Sequence, residues 1–166
     1  MTSTCGYIAL VGRPNVGKST LLNRILQQKL CITSRKPQTT RHAIRGIITE
    51  GECQMVYVDT PGMHDTRKKE MHRLMNQAAE TALHDVDAIV FVVDGTRWTD
   101  DDERVLKHIK NTKTPCILVV NKVDKIKNKT DLLPGLKTLH EKHDFLHLIP
   151  LSAKTGNKVD ELVDVL

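Results

Sequence analysis

An apolar run at residues 6–11 leads directly into residues 12–19, which read GRPNVGKS, and a helical pattern of apolar residues follows at once. Short apolar runs are typical of buried strands, and apolar residues spaced three and four apart are typical of helices. A loop between a strand and a helix can turn its backbone N–H groups inward towards a bound anion. A side chain at Gly12 or Gly17 would obstruct that geometry. The helix also directs the positive end of its dipole at this point. The order of strand, glycine-bracketed loop and helix therefore predicts a cradle for phosphate groups.

Three polar residues at the end of this loop have the chemistry that a bound nucleotide requires. Lys18 is a point charge within reach of β- and γ-phosphates, and the Ser19 hydroxyl is a magnesium ligand in loops of this pattern. The Thr20 N–H is placed to meet the α-phosphate. The loop thus predicts a nucleoside triphosphate with Mg²⁺ and leaves the base open.

A second motif, DTPG at residues 59–62, follows another apolar run. The Asp59 carboxylate is expected to emerge at the carboxyl end of its strand beside the phosphate loop. There it can hold Mg²⁺ through a water, because hard cations prefer oxygen ligands. The Gly62 N–H can donate to the γ-phosphate and would lose that bond after hydrolysis. Alone the motif is an ordinary turn sequence, but beside a phosphate loop it favours a sensor of the terminal phosphate.

Two further motifs, NKVD at residues 121–124 and SAK at residues 152–154, come after the fifth and sixth predicted strands. The two carboxylate oxygens of Asp124 match the N1–H and N2–H₂ donors of guanine. Adenine lacks that donor pair, so ATP would leave the carboxylate unpaired. Asn121 can brace this loop, the Lys122 stem can lie over the purine ring, and the Ala153 N–H can donate to guanine O6. Each motif is weak alone, and their positions after strands favour guanine recognition.

The predicted GTP-binding residues come from all four motifs. They are Gly12, Arg13, Pro14, Asn15, Val16, Gly17, Lys18, Ser19, Thr20, Asp59, Thr60, Pro61, Gly62, Met63, Asn121, Lys122, Val123, Asp124, Ser152, Ala153 and Lys154.

The whole chain predicts strands that alternate with helices. Strands are predicted at residues 6–11, 43–50, 52–58, 88–93, 116–120 and 146–151, and helices from 17, over 71–83, from 99, over 133–139 and from 159. The second and third runs meet at Gly51 and are expected to form an antiparallel hairpin. This order predicts an α/β fold of the P-loop NTPase class. Its sheet would be mostly parallel and six-stranded, with one antiparallel edge strand and helices on both faces.

Two helices carry more detailed predictions. Thr99 is expected to cap the third helix, whose first turn is acidic. Leu133, Leu136 and Leu139 are expected to line the fourth helix, with Pro134 tolerable only in its first turn.

Together these residues resemble the translation-factor-like small GTPases, and more narrowly the GTPase domain of the bacterial Era family. The similarity extends through residues 12–23, 32–41, 57–62 and 92–98, and PQTTR at residues 37–41 is its most discriminating part. It covers essentially all 166 residues. The resemblance implies a single Era-type, Ras-like G domain over residues 1–166 that binds and hydrolyses GTP as a molecular switch.

The resemblance also implies roles for individual residues. Residues 31–42 would form the first switch loop, with Thr40 as a magnesium ligand and Thr39 as the alternative, unless the segment is only a polar linker. Related GTPases are potassium-activated through the asparagine at the place of Asn15, and the ion would neutralise charge in the transition state; the other interpretation is an exposed loop residue. Met63 stands where many GTPases carry a water-orienting glutamine, which implies slow intrinsic hydrolysis.

The residues expected to act in hydrolysis are therefore Lys18, Asn15, Thr40 and Gly62. The expected magnesium ligands are Ser19, Thr40 and Asp59, and Asn15 is the candidate potassium ligand.

Era-like proteins continue into a KH-type RNA-binding domain that contacts 16S rRNA of the small ribosomal subunit. This chain contains no Gly-x-x-Gly loop and stops inside its last predicted helix at Leu166, so we expect a GTPase domain from a longer protein. By family, the partners are GTP or GDP and, in the full-length protein, the small ribosomal subunit with its 16S rRNA. Peripheral contact with the inner membrane is a family tendency. The basic residues 66–69 either touch an RNA or protein partner or are simply solvated.

Composition predicts a cytoplasmic protein. The net charge of +5 permits contact with nucleic acid or an anionic membrane, but its even spread favours a solvated surface. The four cysteines show no paired spacing and are expected to be reduced thiols. The polar start leaves no room for a signal peptide, and no apolar run approaches the roughly 20 residues that span a bilayer.

Three functions remain open from the sequence. The first is a GTP hydrolase that times ribosome assembly, with a potassium-activated GTPase of tRNA modification or ribosome biogenesis as a sibling. The second is a nucleotide-binding module with negligible turnover alone. The third is a phosphate-loop kinase or ATPase, against which NKVD argues. His140, His143 and His147 are interpreted as surface histidines rather than a metal site, because no cysteine or carboxylate completes a ligand pattern.

Overall fold

The structure is a computed structural model that describes residues 4–28, 43–59 and 81–166. The predicted first switch loop with Thr39 and Thr40, the segment from Thr60 through Gly62 and Met63 to residue 69, and most of the helix predicted over 71–83 lie outside the described residues.

The described residues form a six-stranded sheet. Its strands are β1 (Thr4–Val11), β2 (Ala43–Glu50), β3 (Cys53–Asp59), β4 (Ala88–Asp94), β5 (Cys116–Asn121) and β6 (His147–Pro150). The order across the sheet is β2-β3-β1-β4-β5-β6. Only the β2–β3 pair of this sheet is antiparallel, and β2 lies at its edge. The predicted sheet and its hairpin, with Gly51 at a φ of 60°, are confirmed.

Four longer helices accompany these strands in the described ranges. They are α1 (Lys18–Gln28), α2 (Asp100–Lys110), α3 (Lys129–His140) and α4 (Val159–Val165). Residues 81–84 are also helical, and Val123–Lys125 forms a single 3₁₀ turn.

The sheet has a hydrophobic core on each face, because alternate residues of its strands point to opposite sides. One core joins Leu10, Val92 and Val119 to α1 and α4 through Leu21, Ile25 and Leu162. The other joins strand residues such as Val11, Phe91 and Val120 to α2 and to half-buried residues of α3. The prediction of helices on both faces is therefore confirmed.

The start of α2 agrees with the sequence in detail. Thr99 is its N-cap, with extended backbone, and four acidic residues occupy the first turn. The Asp102 carboxylate accepts hydrogen bonds from the Thr99 N–H and hydroxyl, both at 2.9 Å. These contacts hold the N-terminal turn of α2, where the negative charge also complements the helix dipole.

Helix α3 differs from the prediction. It begins at Lys129, so Pro134 lies in the second turn and not the first. Leu133 is 72% exposed, whereas Leu136 and Leu139 are half-buried against the core. Leu132, Leu136 and Leu139 line one cavity. Their spacing of four and three residues places them on the same face of a helix. The assignment of Leu133 to the inner face was therefore wrong.

Three parallel strands bring polar residues to one edge of the sheet. Asp59, Asp94 and Asn121 each end a strand. Asp59 pairs in register with Leu10, one residue before the end of β1, and Asp94 pairs with Asn121. In parallel sheets, ligands bind beyond the carboxyl ends of the strands.

In the ranges that the structure describes, no helix has the length and apolar character needed to cross a membrane.

Candidate functional site

The two glycines of the loop between β1 and α1 are required by close packing. Gly12 has a φ of +152°, and a Cβ there would lie 2.3 Å from the Val92 carbonyl oxygen of β4. Gly17 has a φ of +100°, and its Cβ would lie 2.3 Å from Asn121 Nδ2. The sequence attributed these glycines to the approach of a phosphate. The structure adds that they also let the loop pack against two neighbouring strands.

Lys18 is held at the mouth of this loop by main-chain oxygens. Its Nζ donates to the carbonyls of Gly12 at 2.7 Å and Arg13 at 2.8 Å. Ser19 and Thr20 are exposed at the start of α1. The ammonium, the Ser19 hydroxyl and the N-terminus of α1 are thus brought together, as the sequence predicts for an anion site.

Asn121 connects the phosphate loop to the SAK segment. Its Nδ2 donates to the Val16 carbonyl at 2.8 Å, and its Oδ1 accepts from the Ala153 N–H at 2.9 Å. All three residues are at most 2% exposed. The predicted bracing role of Asn121 therefore has a definite geometry. The Ala153 N–H, predicted to donate to guanine O6, donates to Asn121 in this structure.

Lys122 bridges the phosphate loop and β4. Its backbone is left-handed, with a φ of 65°, and its Nζ donates to the Asn15 carbonyl at 2.6 Å and to Asp94 at 2.8 Å. Asp94 also accepts from the N–H and hydroxyl of Thr96. Burial alone would raise the pKa of Asp94, but the hydrogen bonds from Lys122 and Thr96 outweigh it and lower the pKa to about 2. The ammonium is therefore anchored, which fixes where the Lys122 stem can lie.

Asp124 is oriented by the SAK segment. The Ser152 hydroxyl donates to its Oδ1 at 2.6 Å, and Ser152 is buried while Asp124 is exposed. The carboxylate predicted to select the base is thus accessible from solvent, and the hydrogen bond from Ser152 holds its orientation. Val123 and Lys125 form the 3₁₀ turn around it.

The Arg13 side chain lies in the interior of the protein. Arg13 is among the predicted GTP-binding residues; its side chain is 8% exposed and its Nε donates to Asp102 of α2 at 2.9 Å. Through its main-chain carbonyl oxygen, Arg13 accepts a hydrogen bond from Lys18. The guanidinium therefore belongs to the interior, because Asp102, 89 positions away, provides a buried partner.

The other loop residues occupy two kinds of environment. Pro14 and Asn15 are exposed, and Asn15 has a left-handed φ of 64°. Val16 is fully buried in the core beside α1. Of Asp59, the structure describes the backbone at the end of β3. No group of three or more His, Cys, Asp or Glu residues gathers as a metal site within residues 4–28, 43–59 and 81–166.

Sequence reasoning missed two supporting residues. Asp94 ends an apolar strand as Asp59 does, a signal that could have identified it. Arg24 of α1 donates through Nε to the Ala153 carbonyl at 3.1 Å and through Nη2 to the Lys154 carbonyl. No local pattern marks Arg24, since its partners lie about 130 positions further along the chain.

The chain is similar to known GTPases in sequence. A family model described as 50S ribosome-binding GTPase matches residues 7–122. GTPase Era of Haemophilus influenzae is 60% identical over 162 residues, which cover 98% of this chain and 54% of that protein. GTPase Era of Glaesserella parasuis is 61% identical over 155 residues, which cover 93% and 52%. The chain spans about half the length of the curated relatives it matches.

Solved structures have the same fold. A crystal structure of Era in complex with MgGDPNP and nucleotides 1506–1542 of 16S ribosomal RNA matches with a TM-score of 0.78 and 38% identity, over 99% of this chain and 56% of that one. A variant of Aquifex aeolicus Era bound to GDP·AlF₄⁻ matches with a TM-score of 0.76 and 38% identity, over 98% and 56%.

Proposed function

This chain belongs to the Era family of GTPases, and on that premise we propose that it is the GTP-binding and GTP-hydrolysing half of a longer molecular switch. The observation that best supports this is the position of Asn121. One buried side chain ties the phosphate loop to the SAK segment, so the proposed grip on the phosphates and the proposed reading of the base are mechanically joined.

The phosphates would bind over the loop of residues 12–20. Lys18 supplies a positive charge there, and the main-chain N–H groups of the loop and the start of α1 would supply partial positive charge. Ser19, exposed beside Lys18, and Asp59, at the neighbouring strand end, fit a magnesium site in both position and oxygen chemistry. Bound Mg²⁺ would neutralise phosphate charge. We assign Thr40 and Gly62 to the same site from the family pattern.

Guanine would be read by Asp124. Its carboxylate is open to an incoming base, and the Ser152 hydroxyl sets its orientation through Oδ1. A ligand without the N1–H and N2–H₂ pair would leave that charge without its partners, which costs affinity. Lys122, anchored on Asp94 and Asn15, would flank the ring.

The decisive experiment replaces the base-reading carboxylate. Asp124→Asn keeps an oxygen that can accept from Ser152 and adds an N–H donor, which suits the additional carbonyl of xanthine. We expect GDP affinity to fall at least about tenfold and XDP affinity to rise by a similar factor. Asp131→Asn, which changes an exposed carboxylate on α3, is the matched control. An unchanged GDP-to-XDP preference in Asp124→Asn would refute guanine recognition by this residue.

We propose that potassium accelerates hydrolysis through Asn15. The residue is exposed at the loop and its left-handed backbone suits asparagine or glycine. Single-turnover hydrolysis should be faster in KCl than in NaCl, and Asn15→Gly should abolish that difference while preserving the backbone conformation. Equal rates of the parent protein in both salts would remove Asn15 from the mechanism.

We propose that the full-length protein acts on the small ribosomal subunit in the cytoplasm, through 16S rRNA and a KH-type domain in the half that this chain does not span. The Era structure that contains a 16S rRNA fragment supports the partner, and the free thiols of Cys5, Cys53 and Cys116 support the location. Co-sedimentation of the full-length protein with 30S subunits in GTP and in GDP tests it. Absence of co-sedimentation in both states would refute the ribosomal role.

A further inference from the structure

Helix α2 contacts the phosphate loop through a buried ion pair between Arg13 of the first motif and Asp102, which lies outside all four motifs. Asp102, which is 0% exposed, accepts from Arg13 Nε at 2.9 Å, and the two residues lie 89 positions apart. We propose that Asp102 is a positioning residue for nucleotide binding, because it fixes the Arg13 main chain that in turn holds Lys18. The proposal rests on the proposed function of the loop and names a residue outside it.

One oxygen of the Asp102 carboxylate connects Arg13 to the start of α2. Asp102 Oδ2 accepts from Arg13 Nε, the Thr99 N–H and the Thr99 hydroxyl, each at 2.9 Å. Two of these donors belong to the turn that starts α2, so the oxygen is fixed relative to the helix. The Arg13 side chain is consequently held at a defined point of the sheet edge.

The path from Asp102 to the phosphate site is short. The Arg13 carbonyl accepts from Lys18 Nζ at 2.8 Å, and the Gly12 carbonyl accepts at 2.7 Å. Gly12 is itself packed against the Val92 carbonyl, with no room for a Cβ. Arg13 is thus fixed at its side chain by α2 and at its preceding residue by β4. Releasing the side chain leaves the Arg13 carbonyl without one of its two supports.

The geometry of the pair favours positioning over stability. Guanidinium and carboxylate bind most strongly as a two-bond fork, but this pair uses one bond. Arg13 Nη2 and Asp102 Oδ1 are both buried without a hydrogen-bond partner in the part of the chain that the structure describes. Burying two charges also costs about as much as their attraction returns. A pair that maximised stability would form the two-bond fork. The exposed ion pair of Asp101 with Arg104 on the same helix is expected to contribute little to stability.

The first experiment compares two neighbouring aspartates. Asp102→Asn weakens the contact to Arg13 but keeps an oxygen for the Thr99 N–H, whereas Asp101→Asn removes the same charge from the same helix turn at an exposed position. We expect the Kd of GDP to rise about tenfold in Asp102→Asn and less than about twofold in Asp101→Asn, within the usual range of coupling between sites. Isothermal titration with GDP measures both.

A cycle with Lys18 distinguishes positioning from a general loss of structure. If Asp102 acts through Lys18, Asp102→Asn should have little further effect on the Kd of GDP in the Lys18→Ala background, less than about twofold. An equal loss with and without Lys18 would overturn the proposal.

A second variant guards against misfolding of the single mutant. Arg13→Met with Asp102→Asn removes both charges, leaves no uncompensated ion, and keeps the cap on Thr99. We expect its urea midpoint to lie close to that of the parent while its GDP affinity remains about tenfold weaker. Recovery of affinity together with stability would overturn the proposal. If the parent protein itself bound neither GDP nor GTP, the proposed function would fail; if it bound and Asp102→Asn matched Asp101→Asn, only the positioning role would.

Discussion

Replacing Asn121 by alanine should destabilise the protein even without a nucleotide. The substitution removes the donor to the Val16 carbonyl and the acceptor for the Ala153 N–H. Both partners lie at positions that are at most 1% exposed, so water cannot easily replace the lost bonds. A buried polar group left unpaired costs about 1–3 kcal/mol, so we expect the free energy of unfolding to fall by about 3 kcal/mol.

Equilibrium unfolding in urea measures this loss. With an m-value of about 1.5–2 kcal/mol/M for a domain of this size, the midpoint should fall by about 1.5–2 M. Asn128→Ala is the matched control, because Asn128 is exposed and its side chain makes no capping bond at the start of α3. The control midpoint should change little.

An aspartate at the same position tests the direction of each hydrogen bond. Asn121→Asp keeps an acceptor for the Ala153 N–H, but it can donate to the Val16 carbonyl only when protonated. Burial raises the pKa of such a carboxyl in the folded state, so its stabilising contribution is present at low pH and lost as pH rises through that raised pKa. Measured against the parent at each pH, the variant should recover stability towards pH 4. A midpoint of Asn121→Ala equal to that of Asn128→Ala would refute the role assigned to Asn121.

Three further results follow from the packing and electrostatics. Asp94→Asn should lower the free energy of unfolding by about 2 kcal/mol at neutral pH, because the native pKa of about 2 lies below the ordinary 3.8. A carboxyl with a lowered pKa stabilises the folded state above its unfolded pKa, so the difference in urea midpoint between parent and variant should close between about pH 4 and pH 2. A difference that did not depend on pH would contradict this. Burial raises the pKa of the Cys116 thiol to about 12, so peptide mass spectrometry after iodoacetamide at pH 8 should find exposed Cys5 alkylated and Cys116 unmodified until urea unfolds the protein; equal labelling would contradict the buried position. Gly17→Ala should cost more than about 2 kcal/mol because its Cβ would meet Asn121 Nδ2 at 2.3 Å, whereas Gly51→Ala, with open space around it, should cost only about 1 kcal/mol of backbone strain; equal urea midpoints would show that the contact with Asn121 is unimportant.

The architecture of the sheet could be predicted because its signals are local. The hairpin at Gly51, the apolar runs of β4 and β5 and the cap at Thr99 each depend on residues within a few positions of one another. Helix α3 was predicted less well, because its orientation depends on contacts with residues that are distant in the sequence. The choice between Leu132 and Leu133 as the inward residue depends on the rotation of the helix against β5, which no local pattern determines.

The contacts between the motifs could not be predicted from spacing. The sequence indicated that Asn121 braces a loop, but its partners at Val16 and Ala153 lie 105 and 32 positions away. The partner of Arg13 depends on where α2 packs against the sheet. Arg24 carries no local signal, and it became visible only through the carbonyl groups that it contacts.

Local sequence determined the chemistry of each element in this chain: a glycine-bracketed loop before a helix, polar residues after apolar runs, and a carboxylate suited to guanine. These properties reside in single residues and their immediate neighbours. Tertiary structure alone decided which carbonyl Lys122 contacts, where the Ala153 N–H donates, and that Arg13 points inward to Asp102. Those outcomes depend on strand order and helix placement, which bring together residues up to about 130 positions apart.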